Sequence, residues 1–163
     1  MISRSVHTFN LDNAEPQAVC VGGNRTIVDR DNFPLLKGMA LYLLRLDKDG
    51  IREPHWHPNA VELSYCVQGK AIMTIFGPDA GRDTFTVDRG EIVFVPRGYL
   101  HHIENIGTEV AKFVLAFSHE VGHNFGSQHT HCIALSGSDV TTYGRSFVDN
   151  CFSGECYSGS VSL

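Results

Sequence analysis

Histidine is the residue type in this sequence that is best placed to do metal chemistry. The chain of 163 residues holds nine histidines, and imidazole is the commonest metal ligand that proteins supply. Eight of the nine fall in two groups along the sequence, at positions 55, 57, 101 and 102 and at positions 119, 123, 129 and 131. This clustering predicts a metal site, and the second group raises the question of another.

The first group has the spacing of ligands carried by neighbouring strands. His55 and His57 are two residues apart, so in a strand their side chains point to the same face. Glu62 opens the next strand-like run, and His101 follows a Pro-x-Gly turn at 96–98. Three imidazoles and one carboxylate suit Mn, Fe, Co, Ni, Cu or Zn better than Ca or Mg. The sequence therefore predicts a site for such a metal at these four residues.

Short strands are the elements that would position these ligands. From residue 39 to residue 117, short apolar or alternating runs are separated by turns rich in Gly, Pro and Asp. Strands at intervals of about ten residues with glycine turns are typical of an antiparallel sandwich or barrel. We therefore expect an all-β fold.

The same residues resemble the two sequence signatures of the cupin family. The first signature fits Gly50, His55, His57, Glu62 and Gly69, with one residue fewer than usual after the first glycine. The second signature fits at every position, namely Gly90, Pro96, Gly98, His101 and Asn105. The stretch 33–117 is similar to a cupin throughout. The resemblance implies a jelly-roll barrel with its metal inside.

Within the cupins, three stretches look most like oxalate decarboxylase and its relatives: residues 52–59, 95–99 and 103–107. This resemblance implies that the barrel holds Mn (or Fe), with Arg52 beside the metal. A guanidinium can bind a carboxylate through two N–H groups, so Arg52 is the candidate clamp for a small, oxalate-like carboxylate, with dioxygen as a co-substrate in the oxidative case. The family's decarboxylases also use a lid glutamate as proton donor. This sequence shows no counterpart of it, so oxidation and simple carboxylate binding stay open.

The second group of histidines spells a different metal motif. Residues 119–129 read HEVGHNFGSQH, which matches H-E-x-x-H-x-x-G-x-x-H without a mismatch. On a helix, His119 and His123 lie on one face. Gly126 permits the turn that brings His129 to the same zinc, and three imidazoles leave a fourth position for water. Glu120 would act as the general base on that water.

Residues 117–160 resemble the zinc-binding region of the metzincin proteases, in particular the reprolysin (ADAM-like) branch. The resemblance implies a zinc endopeptidase. Metzincins carry a methionine turn beneath the zinc, however, and the last methionine here is Met73. The abrupt joint between the two resemblances is typical of a chimera. Three functions follow as alternatives: a metal-dependent cupin acting on a small carboxylate, a zinc metalloendopeptidase, and a non-catalytic cupin that binds a metal or ligand.

We expect three segments: an N-terminal arm at 1–34, a cupin barrel at 35–118, and a short zinc-motif helix with an irregular Cys/Gly/Ser-rich tail at 119–163. Single-barrel relatives usually pair, so we expect a homodimer. A net charge of −5 argues against nucleic acid or an anionic membrane as the main partner. No apolar run approaches the roughly 20 residues of a membrane-spanning helix.

Two features of the sequence point to different compartments. The first residues lack the apolar stretch of a secretory signal, which predicts a cytoplasmic protein. Three of the five cysteines, at positions 132, 151 and 156, lie in the tail. Such a tail is typical of exported proteins with disulfides, and it leaves secretion open.

Overall fold

A computed structural model describes residues 5–78, 81–123, 125–126 and 132–134. Within these residues the chain forms β-strands and no helix, which confirms the all-β prediction. The strands are β1 (Ala18–Cys20), β2 (Gly23–Val28), β3 (Ala40–Leu46), β4 (Gly50–Trp56), β5 (Glu62–Gln68), β6 (Lys70–Phe76), β7 (Arg82–Asp88), β8 (Ile92–Val95), β9 (Leu100–Asn105), β10 (Ala111–Phe117), β11 (Phe125–Gly126) and β12 (Cys132–Ala134).

The strands form two antiparallel sheets. One has the order β1-β2-β3-β10-β5-β8, and the other has the order β11-β4-β9-β6-β7, with β12 also paired to β4. Strands that are neighbours in the sequence often lie in different sheets, as β3 and β4 do. The chain therefore passes between the two sheets and wraps them around a common interior, which is the barrel that the strand pattern predicts.

The interior follows from the alternation of side chains along each strand. In β10 every second residue is buried, beginning with Ala111, and in β5 Glu62, Ser64 and Cys66 are buried while their neighbours face outward. Phe113 and Phe117 are among the largest fully buried side chains. Burial of one such side chain contributes roughly 1.5–3 kcal/mol to the free energy of unfolding. The apolar side chains of the interior therefore supply the stability that keeps the buried polar side chains in place.

The segment expected to be an N-terminal arm contributes strands to the first sheet. Strand β2 pairs with β3 from Gly23 opposite Leu46 to Val28 opposite Leu41, and β1 continues the sheet beyond it. Nearer the N-terminus, Asp12 forms an ion pair with Arg45 of β3 at 3.0 Å. Residues 18–28 are thus part of the sheet.

The helix expected at the second histidine group is absent from residues 118–123, and this part of the prediction is wrong. The carbonyl groups that a helix would use bind barrel side chains instead. The carbonyl of Val121 accepts a hydrogen bond from Asn59 at 2.7 Å, and that of Gly122 accepts one from the Tyr42 hydroxyl at 2.9 Å. Contacts with the barrel therefore replace the local hydrogen bonds of a helix.

The rest of that motif and the tail fall mostly outside the described residues. His129 is not described, and neither are residues 135–163, so the expected tail lies outside the described residues. Of the described part beyond residue 123, β11 and β12 pair with β4. No helix in the described ranges is long and apolar enough to cross a membrane.

Candidate metal centre

The first group of predicted ligands comes together inside the barrel. His55 lies in β4, opposite His101 of β9, His57 directly follows β4, and Glu62 opens β5 in the other sheet. One ligand atom from each of the four residues lies within 4.8 Å of every other. All four residues are at most 2% exposed. Two sheets thus supply one enclosed cluster of three imidazoles and a carboxylate.

A main-chain carbonyl fixes the orientation of each imidazole. Nδ1 of His55 lies 2.7 Å from the carbonyl oxygen of Glu53, and Nδ1 of His101 lies 3.0 Å from that of Tyr99. Nδ1 of His57 lies 3.0 Å from the carbonyl oxygen of His123. A carbonyl only accepts hydrogen bonds, so each Nδ1 carries the proton. Nε2 is therefore the ring nitrogen directed to the cluster.

Glu62 joins the imidazoles through its carboxylate. Its Oε2 lies 2.9 Å from Nε2 of His57 and 3.4 Å from Nε2 of His101. Its other oxygen, Oε1, accepts a hydrogen bond of 2.6 Å from the hydroxyl of Ser64. Nε2 of His101 is buried and makes no hydrogen bond within the described part of the chain. That nitrogen is thus available to a metal ion in the cluster.

The charge states of the cluster suit a divalent metal. Burial, and then the charge of the nearby Arg52, hold the pKa of His55 well below its usual range, so this imidazole is neutral. Burial alone would raise the pKa of Glu62, but the imidazoles of His101 and His57 outweigh it and lower that pKa far below its usual range. Glu62 is therefore ionised. A neutral imidazole and a carboxylate are the forms in which these side chains bind metals.

The donor set fits the metals expected from the sequence. Three imidazole nitrogens and one carboxylate oxygen are typical ligands of first-row transition metals, whereas Ca and Mg prefer oxygen alone. The hydrogen bonds from Nδ1 to carbonyls are the outer contacts that metal-binding histidines usually make. The four residues could thus hold Mn or Fe.

Arg52 lies in the same interior, three residues before His55. It pairs with Ile103 of β9, which is a fully buried core residue. The Arg52 side chain is 2% exposed, and its charge lowers the pKa of His55. A buried guanidinium beside the cluster is in place to attract an anion.

The second predicted group does not form a cluster in the described residues. The carboxylate of Glu120 pairs with Arg30 at 2.7 Å and accepts a hydrogen bond from the main-chain N–H of Gly38 at 3.1 Å. Nδ1 of His119 lies 3.0 Å from the carbonyl of Val121. Within the described ranges, the only group able to hold a metal is that of His55, His57, Glu62 and His101.

Two residues of the site were not predicted from the sequence. Ser64 binds Glu62, and its position two residues further along the same strand was a usable signal, because such residues share a face. Asn59 binds Val121 and also accepts a hydrogen bond from the main-chain N–H of His123 at 3.1 Å. Its partners are 62 and 64 residues away, so no local pattern identifies it.

Comparison with known proteins places most of the chain in one family. The family model described as Cupin matches residues 9–142. Oxalate decarboxylase OxdC of Bacillus subtilis is 38% identical over 110 residues, which are 68% of this chain and 28% of that protein. A probable oxalate decarboxylase of Arthroderma benhamiae is 31% identical over 141 residues, covering 86% of this chain and 35% of its own. The chain thus spans about a third of the length of these curated relatives.

Solved structures agree with the sequence comparison. The oxalate decarboxylase of Lactobacillus farciminis, in a formate complex, has a TM-score of 0.69 and 28% identity over 73% of this chain and 35% of its own. A structure of Bacillus subtilis oxalate decarboxylase, an enzyme with Mn(II) centres, has a TM-score of 0.65 and 32% identity, covering 85% of this chain and 37% of its own. Both share the two-sheet barrel described above.

Proposed function

Because the chain belongs to the cupin family, we propose that it binds Mn (or Fe) at His55, His57, Glu62 and His101 and acts there on a small, oxalate-like carboxylate. The observation that carries this proposal is the buried cluster with three Nε2 atoms and one carboxylate directed to each other. The relatives named as oxalate decarboxylases support the substrate class. One of them has Mn(II) centres, which supports the choice of metal.

The residues at this site would have different roles. When bound, Mn or Fe supplies Lewis-acid and one-electron redox chemistry to a carboxylate. Glu62 balances part of the metal charge, and Ser64 holds Glu62 through Oε1. Arg52 would bind the carboxylate of the substrate with its parallel N–H groups. The four ligands, Ser64 and Arg52 are all buried, which excludes bulk water and strengthens each of these electrostatic contacts.

Two reactions of oxalate fit this arrangement. Decarboxylation converts the oxalate monoanion to carbon dioxide and formate. Oxidation consumes dioxygen and two protons and converts oxalate to two molecules of carbon dioxide and one of hydrogen peroxide. The sequence has no counterpart of the lid glutamate, so the two products must be measured separately. A cupin that binds the metal and the carboxylate without turnover would form neither.

The decisive experiment combines metal content with product analysis. Elemental analysis of the purified protein should give about one Mn or Fe per chain. His57→Ala should lose this metal, because the site then keeps only two of its three nitrogen ligands. The loaded protein should yield formate or hydrogen peroxide from oxalate. Arg52→Lys should keep the metal and lose at least tenfold in kcat/KM, because an ammonium cannot bind a carboxylate through two parallel N–H groups.

His123→Ala is the matched control. It removes an imidazole of the H-E-x-x-H motif and keeps the main-chain carbonyl that His57 contacts. Metal content should therefore equal that of the parent. Zinc that disappears with His123→Ala, together with casein cleavage that disappears with Glu120→Ala, would overturn the proposal in favour of a zinc endopeptidase.

A further inference from the structure

The segment 118–123 lies across the end of the barrel that holds the metal cluster. Its first residue, Ser118, exchanges two hydrogen bonds with Val61: the main-chain N–H of Ser118 donates to the carbonyl of Val61 at 3.2 Å, and the N–H of Val61 donates to the Ser118 hydroxyl at 3.0 Å. Further along, Tyr42 donates its hydroxyl to the carbonyl of Gly122. The segment is thus bound at both ends to residues of the barrel.

Asn59 holds the second half of this segment with both ends of its amide. Its Nδ2 donates to the carbonyl of Val121 at 2.7 Å. Its Oδ1 accepts a hydrogen bond from the N–H of His123 at 3.1 Å. One donor and one acceptor on the same rigid group fix both the position and the direction of the backbone from 121 to 123. These contacts fix the two peptide groups that lead up to the Cα of His123, from which the carbonyl of His123 extends.

That carbonyl is the acceptor for Nδ1 of His57 at 3.0 Å. The imidazole of His57 itself is only 2% exposed. Without the carbonyl, the ring would lose the contact at Nδ1 that keeps it in the rotation with Nε2 directed to the cluster. The orientation of one ligand therefore depends on a main-chain group that lies 66 residues further along the chain.

The other two histidines do not depend on the segment. The Nδ1 acceptors of His55 and His101 are the carbonyls of Glu53 and Tyr99, each two residues away in the sequence. Such short-range contacts form together with the strand itself. His57 is thus the ligand whose orientation is controlled from a distance, and Asn59 is the side chain that makes two hydrogen bonds to the backbone beside its acceptor.

We infer that Asn59 is a positioning residue for the metal site: it holds the 121–123 backbone so that the carbonyl of His123 can bind Nδ1 of His57 and direct Nε2 to the metal position. The metal affinity part of this inference rests on the proposed function, whereas the orientation of the His57 ring concerns the metal-free protein alone. Loss of an outer contact of this kind weakens metal binding by about 10- to 100-fold.

The test uses the full chain with Asn59→Ala and Asn59→Asp, and Asn32→Ala as control. Asn32 also bridges two main-chain groups, the N–H of Asp29 and the carbonyl of Ile27, but on the exposed surface outside the cluster. Electron paramagnetic resonance of free Mn²⁺ gives the affinity. Nitrogen-15 spectra of histidine-labelled, metal-free protein report the hydrogen bond at Nδ1 of His57, assigned with His57→Gln.

Asn59→Ala should weaken Mn²⁺ binding by about 10- to 100-fold and shift the imidazole resonances of His57 but not those of His55 and His101. Asn59→Asp keeps an acceptor for the N–H of His123 but sets a carboxylate oxygen against the carbonyl of Val121, so its Mn²⁺ affinity should also fall below that of the parent. Asn32→Ala should match the parent. Circular dichroism at the assay temperature establishes that each variant is folded.

The outcomes separate this inference from the proposed function. If the parent binds Mn²⁺ and Asn59→Ala binds it equally well, the inference is overturned and the proposed function stands. If the parent binds no Mn or Fe, the proposed function fails, and the nitrogen-15 spectra of the metal-free protein still decide the inference. Unchanged His57 resonances in both Asn59 variants overturn it.

Discussion

Glu62 is held from two sides at the centre of the cluster. Oε2 faces the Nε2 atoms of His57 and His101, while Oε1 accepts the short hydrogen bond from Ser64. A hydrogen bond to a charged group is worth about 1.5–3 kcal/mol. Ser64 therefore restricts the carboxylate to the rotation in which Oε2 faces the metal position.

Removal of the Ser64 hydroxyl should weaken metal binding without removing a ligand. In Ser64→Ala the carboxylate of Glu62 loses its partner at Oε1 and samples rotations that do not bind the ion, so we expect Mn²⁺ affinity to fall about 10-fold. Titration followed by electron paramagnetic resonance measures it. Thr74→Val is the control, because it also removes a buried hydroxyl but one that contacts Thr84. Equal affinities in parent and Ser64→Ala would contradict the prediction.

At the scale of the elements, β4 depends on a close approach between two turns. Gly50, the first residue of β4, lies against the turn between β1 and β2: a Cβ atom at Gly50 would lie 2.2 Å from the carbonyl oxygen of Gly22 and 2.9 Å from that of Asp47. Both contacts are with backbone atoms, which cannot move aside cheaply. Gly50 is thus required by sterics where β4 begins.

Gly50→Ala should therefore destabilise the fold strongly. Relief of the overlap must shift the β1–β2 turn or the start of β4, and overpacking of this kind costs about 1–3 kcal/mol or more. The midpoint of urea unfolding at fixed metal content measures the loss. Gly81→Ala is the control, because its Cβ would lie 3.5 Å from the nearest atom, the carbonyl oxygen of Pro78, which is an ordinary contact. A midpoint equal to that of the parent would refute this explanation of Gly50.

The strands were predictable from the sequence, and the path after β10 was not. Strand residues can be recognised from the local sequence, because side chains alternate between the two faces of a strand. His55 and His57 therefore share one face, and so do Glu62 and Ser64. Residues 118–123 carry a motif that favours a helix, yet their partners are Asn59 and Tyr42, which are about 60 to 80 residues away. Contacts of that kind leave no periodic trace, so the local motif predicted the wrong conformation.

At the scale of the whole molecule, the outer face of the first sheet divides into two halves. On one half, which includes β3, Arg45 pairs with Asp12 from the N-terminal region and Leu43 is buried. On the other half, the outward side chains of β5 and β8 are apolar and between 38% and 65% exposed: Leu63, Tyr65, Val67, Ile92 and Phe94. Leu63 lies opposite Phe94 and Tyr65 lies opposite Ile92, so the five form one patch.

We expect this patch to pair with the same patch of a second copy. The five side chains of the patch are uncharged, and together they expose on the order of 500 Å² of surface. A two-fold pair of such patches would bury about 1,000 Å², which is near the lower limit of specific interfaces. Light scattering coupled to size exclusion should show a dimer for the parent and a monomer for Tyr65→Glu. Val21→Glu, in an exposed turn, should stay dimeric. A monomeric parent at micromolar concentration would refute the pairing.

The complete burial of the cluster has a consequence for the rate at which metal enters and leaves. With the four ligands at most 2% exposed, both the ion and a carboxylate substrate reach them through transient local opening of this end of the barrel. Chelation and reloading are then limited by the frequency of that opening rather than by diffusion of the ion. Metal acquired during folding would be retained long after the free ion is gone, and the exchange rate becomes a direct measure of how often this end of the barrel opens.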